Sequence, residues 1–400
     1  MTPPGADPGD EVGEQPETTA LTAGRGYPTE SLAPPLFVST TYGAGSLDEA
    51  RRQAHTPRSD TFYGRYGNPT VSAFEEAVAA LEGAEAAQAF GSGMGAISSV
   101  VLALCSAGDH VVAQRQLYTH TAILFQAVCP RLGIEVTLVD GTDADAIASA
   151  VQPGRTRLVF VETPANPLFQ LVDLDALGSI TGPLTVCDST FATPLVQRPL
   201  DHGIDLVVHS ATKGLSGHND ATLGVVAGER ELIEAVWGYH TIHGAVASPF
   251  DAWNALRGIR TLGPRIEWAS GTASRVAELL EDHPAVAAVH YPGLESHPQR
   301  DLAKRQMRSG GTLLSFDLAG GIDAGRRFVG ACRLARIATS VGGPETLVVH
   351  PATTTAAALP PDDRQELGIG DGLIRVSVGL EHPDDVLADI ARGLAAAATP

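Results

Sequence analysis

Lysine is nearly missing from this chain. Of its 27 basic residues only Lys213 and Lys304 are lysine, and the other 25 are arginine. Arginine replaces lysine wherever a fixed positive charge is enough, but guanidinium stays protonated and cannot attack a carbonyl. A lysine that survives such depletion is therefore a candidate for chemistry. Lys304, among Arg300, Arg305 and Arg308, reads as one more surface cation. Lys213 has a different setting.

Other absences narrow the possibilities. No apolar run approaches the roughly 18 residues of a membrane span. The N-terminus lacks the basic-then-apolar layout of a secretory leader, so the expected location is the cytoplasm. Positive charge is in deficit: a net charge of −19 and a pI near 5.0 argue against nucleic acid or an anionic membrane as partner. Small molecules and further copies of the chain remain. Cys105, Cys129, Cys187 and Cys332 stand far apart with no Cys-x-x-Cys pair, as expected of reduced thiols. His283, His290 and His297 recur every seven residues. Pro284, Pro292, Gly293 and Pro298 break any helix that would align them, so no metal site is expected.

The organisation follows from what is present. Residues 1–20 carry five acids and no base among Pro and Gly, which predicts a disordered acidic tail. Residues 21–61 lack clear periodicity and suit an N-terminal arm lying on another surface. Ser72-Ala73-Phe74-Glu75 reads as a capping box ahead of a helix through Phe74, Ala77, Val78 and Leu81 that stops at Gly83. Six β-rich runs follow, at 110–113, 134–139, 158–162, 184–188, 206–209 and 223–227. Stretches of crossover length separate most of them, which predicts an α/β domain over 62–250 built on a mainly parallel sheet. Ligands of such sheets sit at the carboxyl ends of the strands, where Asp188 and His209-Ser210 fall. From 251 to 400 a helix-prone stretch reaching Asp282 and then mixed elements predict a smaller α+β domain.

Three local sequences carry chemistry. In Ser210-Ala211-Thr212-Lys213-Gly214, two hydroxyls and a lysine in one turn can hold a phosphate and present an amine to an aldehyde beside it. Phe90-Gly91-Ser92-Gly93-Met94-Gly95-Ala96 opens an apolar helix, and glycines beside free N–H groups at a helix start make an anion site. The same loop matches a dinucleotide fingerprint, but the acid wanted about 20 residues on would be Asp109, which follows a helix end and not a strand. Asp188, at a strand end, can keep a pyridine nitrogen protonated.

Six ordered motifs complete the pattern: Tyr63-x-Arg65-x-x-Asn68-Pro69-Thr70, Ser92-Gly93-Met94-Gly95-Ala96, Glu162-Thr163-Pro164-Ala165-Asn166-Pro167, Asp188-Ser189-Thr190, His209 to Lys213, and Arg375 to Glu381. From about residue 25 onward the chain resembles the transsulfuration, or Cys/Met-metabolism, enzymes that depend on pyridoxal 5'-phosphate (PLP), nearest to the methionine and cystathionine γ-lyases. The resemblance implies PLP fold type I, the aspartate aminotransferase-like fold. It implies that Lys213 forms the Schiff base and carries protons, and that Ser210, Thr212, Gly93 and Met94 bind the phosphate. Tyr118 would stack on the ring and exchange protons with substrate. Asn166 would lie near the ring hydroxyl, and Asp188 on the ring nitrogen. Arg375 would grip the substrate carboxylate with Ser340 and Asn166 nearby, and Glu345 would stand near the substrate's distal end. Tyr63 and Arg65 would reach the neighbouring subunit's active site within a homotetramer, a dimer of dimers.

The implied reaction is γ-elimination from a sulfur amino acid such as L-methionine, L-cystathionine or L-homocysteine, giving 2-oxobutanoate, ammonia and a thiol. The alternative is γ-replacement, as in cystathionine γ-synthases and O-acylhomoserine sulfhydrylases. A non-catalytic scaffold is opposed by the retention of Lys213. The chain departs from the family at His120, where methionine γ-lyases carry cysteine, at His240-Thr241, at Gly214 and at Thr355-Ala356.

Overall fold

The computed structural model describes residues 14–26, 31–56, 58–357 and 359–398. Two sheets organise them. The first has seven strands: β1 (Ala86–Phe90), β2 (His110–Gln114), β3 (Glu135–Val139), β4 (Thr156–Glu162), β5 (Leu184–Asp188), β6 (Leu206–His209) and β7 (Gly224–Gly228). Their order is β1-β7-β6-β5-β4-β2-β3. The block from β3 to β6 is parallel, while β7 runs antiparallel to both β6 and β1. Most of these strands are continuous apolar runs because helices cover both faces. Val111, Phe160, Val186 and Val208 sit in the core on one side, and Val112, Val159, Val161 and Cys187 on the other.

The second sheet has five strands in the order β10-β11-β12-β9-β8, with β8 (Val286–His290), β9 (Leu313–Leu318), β10 (Arg336–Ile337), β11 (Leu347–Val349) and β12 (Leu373–Ser377). Its pairs are antiparallel except β10 with β11. Helices Leu262–Glu281, Gly321–Ala331 and Pro383–Ala397 pack on it around Phe316 and Phe328. The helix-prone stretch from Asp251 to Asp282 is two helices, Pro249–Ile259 and Leu262–Glu281, divided at Arg260-Thr261.

Three expectations change. The proposed tail lies outside the described residues up to 13, but Pro16–Thr22 is helical. Ala20 is buried against the helix of 69–82, and Glu17 pairs with Arg308 at 3.2 Å. The single-chain composition there concealed one apolar contact. The capping box at Ser72 does not form, because the helix begins earlier, at Pro69, with the Asn68 side chain accepting the N–H groups of Thr70 and Val71. Ser72 donates to Asp60 instead, and Glu75 accepts from Ala89 N–H and pairs with Arg58. Strand β1 was absent from the sequence reading, since Ala-Ala-Gln-Ala-Phe has no β-branched residue and owes its conformation to pairing with β7.

Candidate active site

The carboxyl ends of β4, β5 and β6, the start of the helix Gly93–Leu104, and loops from the second sheet enclose a cavity of about 600 Å3. Lys213, Tyr118, Asp188, Asn166, Arg375 and Ser210 all line it, as do Gly93, Met94 and Thr212.

The anion-binding end is built from two backbone features. Ser92 caps the helix by accepting the Gly95 N–H at 3.0 Å. The N–H groups of Gly93 and Met94, at its first two positions, have no intrahelical acceptor. A Cβ on Gly93 would stand 2.8 Å from the Ser210 Cβ, so only glycine lets the Ser210 turn approach. Thr212 is held within this turn, its hydroxyl donating to Leu223 O at 3.1 Å and accepting Leu223 N–H at 2.9 Å. Behind the turn the buried Arg265 donates to Gly214 O and Gly258 O, tying the lysine's segment to the helices of 249–281.

Lys213 Nζ donates to Ser340 Oγ at 3.0 Å. Burial, and then the Arg375 charge, lower the lysine pKa from its ordinary value, which favours the free amine that carbonyl attack needs. Arg375, 4% exposed, donates to Asn166 Oδ1 at 2.7 Å and to Thr339 O at 3.1 Å, and burial pushes its pKa down to about 10.

Asp188 uses one oxygen, Oδ1, to accept both the N–H and the hydroxyl of Thr190, at 2.9 and 2.5 Å. No described residue donates to Oδ2, and burial raises the carboxyl pKa. Glu162, in register with Asp188 on the neighbouring parallel strand, lies in the same cavity. Its two oxygens accept the N–H groups of Tyr118 at 2.8 Å and Asn166 at 3.1 Å. Burial and then Asp188 raise its pKa. The sequence reading quoted Glu162 within a motif but gave it no role. A strand run ending in an acid was the signal, the same one that singled out Asp188.

Tyr118 and His120 form the outer wall. The phenol oxygen lies 3.0 Å from His120 Nδ1, and the tyrosine is 42% exposed. Four expected residues are not part of the cavity lining: Ser340, which reaches the site only through its bond to Lys213, and Glu345, Tyr63 and Arg65. Glu345 accepts from Asn219 at 2.8 Å. Arg65 donates to Thr241 O and lies over the rings of Tyr63 and Tyr66, at 5.6 and 5.1 Å, on another part of the surface.

A family model for the Cys/Met metabolism PLP-dependent enzymes matches residues 17–395. The chain belongs to that family. It is 45% identical over 384 residues to the O-succinylhomoserine sulfhydrylase of Pseudomonas aeruginosa, covering 95% of each. To an L-methionine gamma-lyase of Fusobacterium nucleatum it is 42% identical over 386 residues, covering 94% of this chain and 97% of the relative. The solved cystathionine gamma synthase from Xanthomonas oryzae, in complex with aminoacrylate and cysteine, matches with a TM-score of 0.90 at 37% identity. That match covers 96% of this chain and 99% of the other. The protein is thus a PLP-dependent enzyme of fold type I acting on a small amino-acid substrate. The residues present fit PLP: free N–H groups at a helix start suit a phosphate, a carboxylate oxygen without a donor suits a pyridinium, and a buried amine stands between them. Among the described residues no helix is long and apolar enough to cross a membrane.

Proposed function

We propose that this enzyme carries out γ-elimination on a sulfur amino acid of the L-methionine, L-cystathionine or L-homocysteine type, releasing 2-oxobutanoate, ammonia and a thiol. One observation carries the choice of a neutral leaving group. The fixed cations lining the cavity are Lys213 and Arg375, and both have work at the amino-acid end. A leaving group bearing its own carboxylate, such as the cysteine released from L-cystathionine, would need a third. The methanethiol of L-methionine and the hydrogen sulfide of L-homocysteine would not, which places these two ahead of L-cystathionine.

Arg375 holds the substrate carboxylate through its guanidinium, with Asn166 fixing the rotamer from one side and Ser340 close to the amine. PLP, when bound, supplies an electron sink for the substrate carbon atoms. Lys213 Nζ, the only side-chain amine at the cavity, would take the Cα proton, hand it on to the bound cofactor and, again a free amine, take a Cβ proton. Tyr118 Oη gives a proton to the departing sulfur, and His120 Nδ1, 3.0 Å away, replenishes it. Asp188 Oδ2 would take the ring nitrogen and keep it protonated. The Gly93 and Met94 N–H groups, with Ser210 and Thr212, hold the phosphate. Glu345, near the rim beside Asn219, belongs to the approach of the substrate's far end.

A second reading, γ-replacement, is favoured by the 45% identity to a sulfhydrylase and by His120, which when protonated could face an acyl carboxylate. Assays with L-methionine, L-cystathionine and O-succinyl-L-homoserine, with and without added thiol, decide between them. Release of 2-oxobutanoate without thiol supports elimination, and thioether formation that outruns it overturns elimination.

The same reading takes residues 62–250 as the cofactor-binding domain and 251–400 as the smaller domain, in a cytoplasmic homotetramer built as a dimer of dimers. Tyr63 and Arg65 then complete a neighbour's phosphate site, which accords with neither of them lining their own cavity. The arm supports this, since Leu32, Val38 and Leu47 are 79%, 59% and 89% exposed and would be covered by a second copy. Chains carrying Arg65→Ala and chains carrying Lys213→Ala, each inactive alone, should restore activity when co-refolded. Absence of rescue would count against a shared site.

A further inference from the structure

A second cavity, of about 480 Å3, adjoins the catalytic one, and nothing above uses it. Thr119, Ile123, Asn166 and Thr355 line both, so the two spaces share a wall. That wall is thin. Its one direct bond is Thr119 Oγ1 to Thr355 O at 3.4 Å, at the long limit for a hydrogen bond. Its hydrocarbon comes from Leu117, Ala122, Leu138, Leu367 and Ile369, interspersed with the amides of Gln116, Gln126 and Gln170, and Ala356 is buried in the lining. The charged residues at its mouth are Arg115, Asp363 and Glu366, and Arg115 is already paired with Glu366 at 2.9 Å. The excess charge there is negative.

We propose that this second chamber is the subsite for the sulfur substituent of the substrate, and that it selects unbranched apolar S-alkyl groups longer than methyl. The inference rests on the γ-elimination reading and names its substrate class. Three features lead to it. The shared wall runs from Asn166, at the Arg375 end of the catalytic cavity, to Thr119 beside Tyr118, where a leaving sulfur is protonated. The lining offers hydrocarbon to a chain that passes the wall, so each methylene leaves water. The acidic mouth and the already paired Arg115 repel or fail to hold a terminal carboxylate, which disfavours acyl and amino-acid tails. Ala356 keeps the floor low, since a larger side chain at that buried position would rise into the space.

The test uses the loaded enzyme and the S-methyl, S-ethyl, S-propyl and S-butyl L-homocysteines, scoring 2-oxobutanoate. kcat/KM should rise about four-fold for each methylene, the increment expected when a CH2 leaves water for an apolar site. Leu367→Trp, and independently Gln170→Trp elsewhere in the lining, should cut kcat/KM for the butyl substrate at least ten-fold while leaving methionine within about two-fold. Two variants are named because either could perturb its own loop. Methionine turnover without any gain along the series overturns the subsite, as does an equal loss for methyl and butyl substrates in a folded, cofactor-loaded variant. If none of the four releases 2-oxobutanoate but L-homocysteine or L-cystathionine does, the subsite falls and γ-elimination stands; if all of them fail, γ-elimination falls and the subsite with it.

Discussion

The floor and the rim of the catalytic cavity are built by opposite means. The floor comes from ends of parallel strands, one helix start and strand β12 of the second sheet. Asp188 and Glu162 are nearly buried on adjacent strands, and Arg375 lies on β12 with both ends of its guanidinium engaged. The rim comes from short elements. Tyr118 precedes a five-residue helix, Thr119–Ile123, which widens at Leu124–Val128 so that Cys129 N–H reaches Leu124 O. Pro130, just beyond, has no N–H to continue the ordinary ladder, which accounts for the local widening. The difference teaches a division of labour: the floor fixes what chemistry is possible, and the rim decides which side chain receives it.

Substitutions can break or sharpen that contrast. Lys213→Ala should have the largest effect, lowering turnover by about 10,000-fold or more and removing the long-wavelength absorbance of the loaded enzyme. Persistence of that absorbance would remove Lys213 from its role. Arg375→Ala should come next, costing about 2–5 kcal/mol in substrate affinity because a buried carboxylate is left unpaired. An unchanged KM would show that the carboxylate binds elsewhere. On the rim, Tyr118→Phe should lower kcat about 100-fold and leave KM nearly unchanged. A loss as large as that of Lys213→Ala would erase the distinction between floor and rim.

The smallest effect concerns the floor's stored charge. Glu162 holds its proton above the ordinary carboxyl value of 4.5. The folded chain therefore binds more protons than the unfolded one, and stability falls as pH rises above that value. Glu162→Gln should flatten this slope by up to about 1.4 kcal/mol per pH unit. Denaturant melts of the cofactor-free protein between about pH 5 and 8 measure it, and parallel slopes for both proteins would contradict it.

The same contrast governs how much could be read in advance. Each of the six β-rich runs became a strand within a residue or two, and for β2, β4, β5 and β6 the reason is that buried parallel strands must be continuous apolar runs. The floor residues were legible for a related reason: a lysine, an acid or a glycine at such a strand end has few structural excuses. Glu162 ended a strand run just as Asp188 did, but its pairing in register with Asp188, which gives that position its weight, is a relation between strands that no local pattern contains. Ser72 and Glu75 had the spacing of a cap but found partners in Asp60, Arg58 and Ala89, all distant in sequence. The second chamber was equally hidden, since the turn of 355–369 and the helix of 119–123 meet only in three dimensions.

The depletion of lysine has a practical side once the two survivors are located. Lys304 is half exposed and paired with Glu295, whereas Lys213 opens only onto the catalytic cavity. An amine-directed acylating reagent would therefore mark Lys304 quickly and reach Lys213 only along the route a substrate takes. The slower of the two labelling rates becomes a clock for occupancy, readable by mass spectrometry on the native enzyme without any engineered reporter.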